Sequence, residues 1–179
     1  MAVLSRGDRH EGFARFFPHR SVTEREALAV LRGEDRAAAA RAEAQLWEMW
    51  CHADEPEIAA LFARGVTAME GGRLQDAELI FTGIIDRVPD FAEGWNKRAT
   101  VRYLARNFEG SIDDCRQTLA RKPHHFGALS GQGLCHVALG QSREAAALFR
   151  RALEVHPHLE SVRQNLRVAL SEAVKGNGH

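Results

Sequence analysis

From residue 57 to residue 158 the alternation of bulky apolar, small and polar positions is a single pattern written three times. Counted from Ile58, Ala92 and Phe126, the fourth position carries Leu61, Trp95 and Leu129, all large. The eighth carries Gly65, Ala99 and Gly133, and the twentieth Ala77, Ser111 and Ala145, all small. The twenty-fourth carries Phe81, Cys115 and Phe149, and each repeat closes on a proline: Pro89, Pro123 and Pro157, spaced 34 residues apart. A fixed period of this length means stacked supersecondary units, because one unit cannot bury its apolar face alone. Small residues at the eighth and twentieth positions let two antiparallel helices approach closely, with the large residues filling the space beside that contact. Glycine inside a helix costs about 1 kcal/mol against alanine, a cost that close packing at Gly65 and Gly133 would offset.

The breaks between segments support helical pairs. Within each repeat the first helix stops at a turn: Gly71-Gly72, Arg106-Asn107 and Gly140-Gln141, where Gly and Asn tolerate the left-handed conformation. The second stops before the proline, which cannot continue it. Helices are therefore predicted over residues 57–70, 74–87, 91–105, 109–121, 125–139 and 143–155. A last one over 159–174 carries Leu159, Val162, Leu166, Leu170 and Val174 on one side and polar residues on the other, as the end of a stack requires.

Upstream of the repeats, Ser21 or Thr23 can cap a short helix with Glu24 and Glu26 in its first turn. An Ala-rich helix follows, with Ala39, Ala42, Leu46, Met49 and Trp50 in one stripe that Trp47 widens. This pair lacks the repeat signature and is expected to cap the N-terminal end of the stack. Residues 1–20 form an irregular arm in which Phe13, Phe16 and Phe17 stand out, since disordered segments are poor in aromatics. They suit docking on a neighbouring helix or, alternatively, in the protein's own groove.

These positions resemble the tetratricopeptide repeat (TPR) family, over about two-thirds of the chain. The resemblance implies an all-α solenoid of three TPR helix pairs: residues 57–90, 91–124 and 125–158. A helical hairpin (21–56) precedes them, and a capping helix (159–175) and a short tail (176–179) follow. It also implies a concave groove lined by the first helices, to which Phe62, Val66 and Met69, then Asn96, Lys97, Thr100 and Tyr103, then Gly127, Ser130, Gly131 and Leu134 would contribute. Such a groove, apolar at one end and polar in the middle, suits a peptide segment of a partner protein. In some members a basic clamp holds a peptide carboxylate; its positions here hold Phe62, Val66, Lys97, Gly127 and Gly131, of which only one is cationic. Gly127 and Gly131 lie on one helical face and forgo about 2 kcal/mol of propensity. Either a ligand backbone or aromatic knob needs that bare surface, or a neighbouring helix does.

Composition narrows the function further. Twenty-four basic and 24 acidic residues leave no net charge, unlike a nucleic-acid binder. Three cysteines, Cys51, Cys115 and Cys135, are too few and too scattered for a disulfide framework. No apolar run reaches the length of a membrane span and residues 1–20 have no signal-peptide core, so a cytoplasmic protein is expected. The basic run Lys97, Arg98, Arg102 and Arg106 faces Asp113 and Asp114 on the next helix, giving either a paired face or a site for an acidic partner segment. Nine histidines raise a metal-responsive regulator, with Cys51-His52, His124-His125, Cys135-His136 and His156/His158 as candidate ligands, but none has the spacing that shares a helical face. No phosphate loop, nucleophile elbow or metalloprotease motif is present, so a non-enzymatic scaffold or adaptor without cofactor is expected. Self-association as a homodimer, through Trp47, Trp50 and the Phe-rich arm, is the structural alternative.

Overall fold

A computed structural model describes residues 22–175, and among these every regular element is a helix. In chain order they are α1 (Glu24–Leu31), α2 (Arg36–Cys51), α3 (Pro56–Glu70), α4 (Leu74–Arg87), α5 (Ala92–Leu104), α6 (Phe108–Arg121), α7 (Phe126–Ala138), α8 (Ser142–Val155) and α9 (Glu160–Lys175). The phenylalanine-rich arm lies outside the described residues.

Each repeat is an antiparallel pair, α3–α4, α5–α6 and α7–α8, and successive pairs stack in order. The small-on-large contact is direct. A Cβ added at Gly65 would sit 2.8 Å from the Phe81 ring, and one at Gly133 2.6 Å from the Phe149 ring. In the middle pair the contact is made differently, with the Ser111 hydroxyl donating to the Ala99 carbonyl at 2.8 Å. The residues before the prolines, Val88, Lys122 and His156, leave the helical region together, with φ near −132° and ψ of 73°, 82° and 87°, and still donate to the carbonyl four residues back.

Left-handed backbone recurs at Gly72, Arg106 and Gly140, with φ of 73°, 63° and 73°. In the middle turn the left-handed residue is therefore Arg106, where Asn107 was the natural expectation. The next amide in each turn (Arg73, Asn107, Gln141) reaches back to a carbonyl five residues earlier, which fixes the position regardless of residue type. Asn107 is used instead as the cap of α6, its side-chain oxygen accepting from the Gly110 amide at 3.0 Å.

The N-terminal hairpin does not cap the N-terminal end. Of the two candidates Thr23 caps α1, in a reciprocal capping box with Glu26. Ala27, Leu28 and Leu31 of α1 and Ala42, Leu46 and Trp50 of α2 then bury in one cluster with Phe126, Leu129, Phe149, Val155 and Val162. The hairpin thus folds back over the third repeat, which supplies the large apolar surface that its stripe matches. The outer face of the first repeat is left open, with Ala63 and Thr67 exposed and Leu79 at 73% exposure. On α9 the buried stripe runs through Val162, Leu166 and Ala169, whereas Leu170 and Val174 face outward, so the expected apolar side holds only in its first half.

Candidate functional site

The first helices α3, α5 and α7 touch one another and form the inner wall of the stack. A trough of about 330 Å³ opens between α5 and α7. Asn96, Thr100 and Tyr103 line it from α5, and Gly127, Ser130, Gly131 and Leu134 from α7. The sequence reading named all seven. The trough is also lined by Ala99, Leu104, Ser111 and Cys115, which that reading took as packing positions or passed over. The signal lay in the series Phe81, Cys115, Phe149: the middle repeat has a small thiol where its neighbours have a ring, and that thiol lines the trough.

The lining is mostly uncharged. The Thr100 hydroxyl donates to the Asn96 carbonyl and the Ser130 hydroxyl to the Gly127 carbonyl, both at 3.0 Å, leaving their lone pairs for a ligand. Tyr103 leans on Phe108 with centroids 5.7 Å apart. Gly131 gives bare surface, since an added Cβ would meet only the Cys115 sulfur at 3.8 Å. Burial and the nearby Cys135 and Asp114 push the Cys115 thiol up to about 12, so it is a neutral wall rather than a nucleophile.

Other expected groove residues lie elsewhere. Phe62 is buried between Phe81 and Phe91, with centroids 5.8 and 5.4 Å away, and Val66 and Met69 pack half-buried against the same core. The ring of Phe91, just before α5, closes over Phe62 and takes it out of the groove. Lys97 points to the hairpin, with its ammonium 5.8 Å from the Trp47 ring centroid. Gly127 lies at the boundary: its bare face receives an aromatic knob from within the chain, since an added Cβ would stand 2.8 Å from the tip of Trp47.

Behind the wall, charge is satisfied internally. Arg98 makes a bidentate pair with Asp114 (2.9 and 2.8 Å), and Arg102 bridges Asp114 and Glu78. Asp113 pairs with Arg116 instead. The basic run is therefore a paired face at Arg98 and Arg102. Glu93 and His125, both fully buried, bond at 2.7 Å, and the Asn96 amide donates to both Glu93 oxygens. Burial works to raise the Glu93 carboxyl. The hydrogen bond and charge of His125, then Lys97 and Asn96, outweigh it and hold the group below the usual carboxylate range.

Several of the residues raised as metal ligands have partners within the chain. His156 faces Glu43 at 3.2 Å, His158 the Gly33 carbonyl at 2.7 Å, and Cys135 donates to Ser111. Among the described residues no group of three or more His, Cys, Asp or Glu is placed to hold a metal ion. Of the two tryptophans raised for self-association, Trp50 is buried within the chain and Trp47 is half-buried with its tip on Gly127.

Among known proteins, a "TPR repeat-containing protein" of Rhizobium etli is 33% identical over 89 residues, half of this chain and 43% of its own length. The Hsp70-Hsp90 organizing protein of Triticum aestivum is 25% identical over 111 residues, 62% of this chain and 19% of that protein. The chain thus spans less than half the length of these relatives. In fold it is similar to the Sgt2 TPR domain from Aspergillus fumigatus, with a TM-score of 0.67 at 18% identity over 71% of this chain and 85% of that one. It is likewise similar to the first TPR of Spaghetti (RPAP3), with a TM-score of 0.65 at 24% identity over 69% and 98% of the two chains. The tetratricopeptide repeat family model matches residues 62–126 and 96–159, together more than half of the 179-residue sequence, and the chain belongs to that family.

Proposed function

We propose that the protein is a non-enzymatic adaptor that holds a peptide segment of another protein in the trough between α5 and α7. The observation that carries this reading is the convergence of Asn96, Thr100, Tyr103, Ser130, Gly131 and Leu134, from two different repeats, on one open trough. Backbone-facing hydroxyls, one aromatic ring and a bare glycine suit an extended peptide with an apolar anchor. A structural neighbour supports the ligand class: the first TPR of Spaghetti (RPAP3) was solved bound to the HSP90 peptide SRMEEVD. The peptide proposed here is different in charge. Of the positions that would form a carboxylate clamp only Lys97 is cationic, and it lies over Trp47.

A transplant of the flanking repeats' own packing pair tests the reading. Cys115→Phe with Ala99→Gly gives the middle repeat the ring-on-glycine contact of the other two and fills part of the trough. Peptides selected from a random display library on the wild-type chain should lose binding to this double variant and to Tyr103→Ala. They should keep binding to Leu79→Ala on the far face. Equal binding to the trough variants and the control would refute the reading.

A further inference from the structure

The hairpin α1–α2 is seated on the inner wall in the manner of a separate ligand. It covers the first turns of α5 and α7, while the trough, apart from Gly127 at the boundary, uses their later turns. Trp47 drops its tip onto Gly127 and sets its edge against His125 and Phe126, with centroids 5.4 and 5.3 Å away. Trp50, three residues on and so on the same face of α2, stacks on His125 at 4.3 Å. Charge is complementary across the contact. The pairs run from the hairpin to the turns that follow α6 and α8: Glu24 with Lys122 at 2.6 Å, and Glu43 with His156 at 3.2 Å.

Two further features mark this contact as exchangeable. The hairpin is joined to the first repeat by the short connection of residues 52–55, in which His52, Asp54 and Glu55 are exposed, and Cys51 and Ala53 pack against the first repeat's core. Buried polar atoms without a hydrogen-bond partner in the protein, Trp50 Nε1 and His156 Nδ1, both lie in it. A buried polar group left so is a penalty that a different occupant can relieve.

We infer that the wall beneath α2 is a receiving surface for an amphipathic helix of another protein, carrying two aromatic residues three positions apart and an acidic flank, and that the α1–α2 hairpin is the resident competitor such a helix displaces. This site meets the trough at Gly127 but does not depend on what the trough binds.

The test uses the full chain and a fluorescein-labelled synthetic peptide of its own residues 35–52 as the probe of that chemistry. A resident competitor lowers apparent affinity by the fraction of time it is docked. Trp47→Ala, and independently the surface change Glu24→Lys, should therefore tighten probe binding about tenfold or more. Adding Lys122→Glu to Glu24→Lys re-forms the ion pair with its sense reversed and should return the affinity toward the wild-type value. Adding Gly127→Ala to Trp47→Ala should abolish the gain, because the new methyl meets the probe's own tryptophan. Tyr103→Ala, which damages only the trough, should leave probe binding unchanged, so failure here and failure of the trough reading are told apart. No gain in either hairpin variant would overturn the inference. So would hydrogen exchange in which α2 amides open only with global unfolding of the repeats.

Discussion

Helix α7 carries glycines at 127, 131 and 133, and the same substitution by alanine should have three different outcomes. The helix-propensity gain is about 1 kcal/mol at an interior position. At Gly131 the new methyl meets only the Cys115 sulfur at 3.8 Å, an ordinary contact, so the gain is kept. For a domain of this size about 1 kcal/mol raises Tm by roughly 2–4 °C. At Gly133 the methyl would lie 2.6, 2.8 and 3.0 Å from three atoms of the Phe149 ring, which is fully buried. Overpacking of this kind costs about 1–3 kcal/mol, so Gly133→Ala should lower Tm. At Gly127 the obstacle is the tip of the half-buried Trp47 ring, which can tilt away. That variant should keep the melting of the repeats and shift tryptophan emission to the red as the hairpin loosens. Thermal melts by far-UV circular dichroism, with fluorescence alongside, separate the three. Stabilisation by Gly133→Ala equal to that by Gly131→Ala would refute the packing argument, and so would destabilisation by Gly131→Ala.

Arg106→Gly should stabilise the fold by about 0.5 kcal/mol in urea titrations, since relieved left-handed strain outweighs the added freedom of the unfolded chain and the lost stacking on Phe108, whose centroid is 5.9 Å from the guanidinium. No gain would mean that this stacking already offsets the strain. Glu93 should leave an acid signature. Its folded pKa lies below the ordinary 4.5, so the stability it adds is present above that value and is lost as the pH falls through the depressed folded pKa. The Tm difference between wild type and Glu93→Gln should be full near neutrality and close on acidification below pH 4.5, with His125, Lys97, Asn96 and Cys51 as the groups that face it. A difference that widens in acid would reverse the sign of that coupling.

Features settled within a single repeat were legible in the sequence. The prolines end helices by removing a donor, and Gly65 and Gly133 pair with Phe81 and Phe149 because both members lie in one repeat. The left-handed turn at Arg106 needed more than residue type. Its place follows from the 34-residue interval to Gly72 and Gly140, and choosing Asn107 on chemical preference missed by one residue. The seat of the hairpin was illegible for a different reason. An amphipathic stripe states that a face is buried, not what buries it, and the partners of Leu46 and Trp50 lie more than 70 residues downstream. Yet a complementary pair was on view: two tryptophans on α2, and at Gly127 a helix face stripped of side chain with no packing partner inside its own repeat. The trough is the counterpart case. The ring-on-glycine contact recurs in the first and third repeats but not in the middle one. Ala99 and Cys115 break it in the middle, where a bound segment can reach residues of two repeats at once. Departures from the period, more than the period itself, mark the trough proposed here as the binding site.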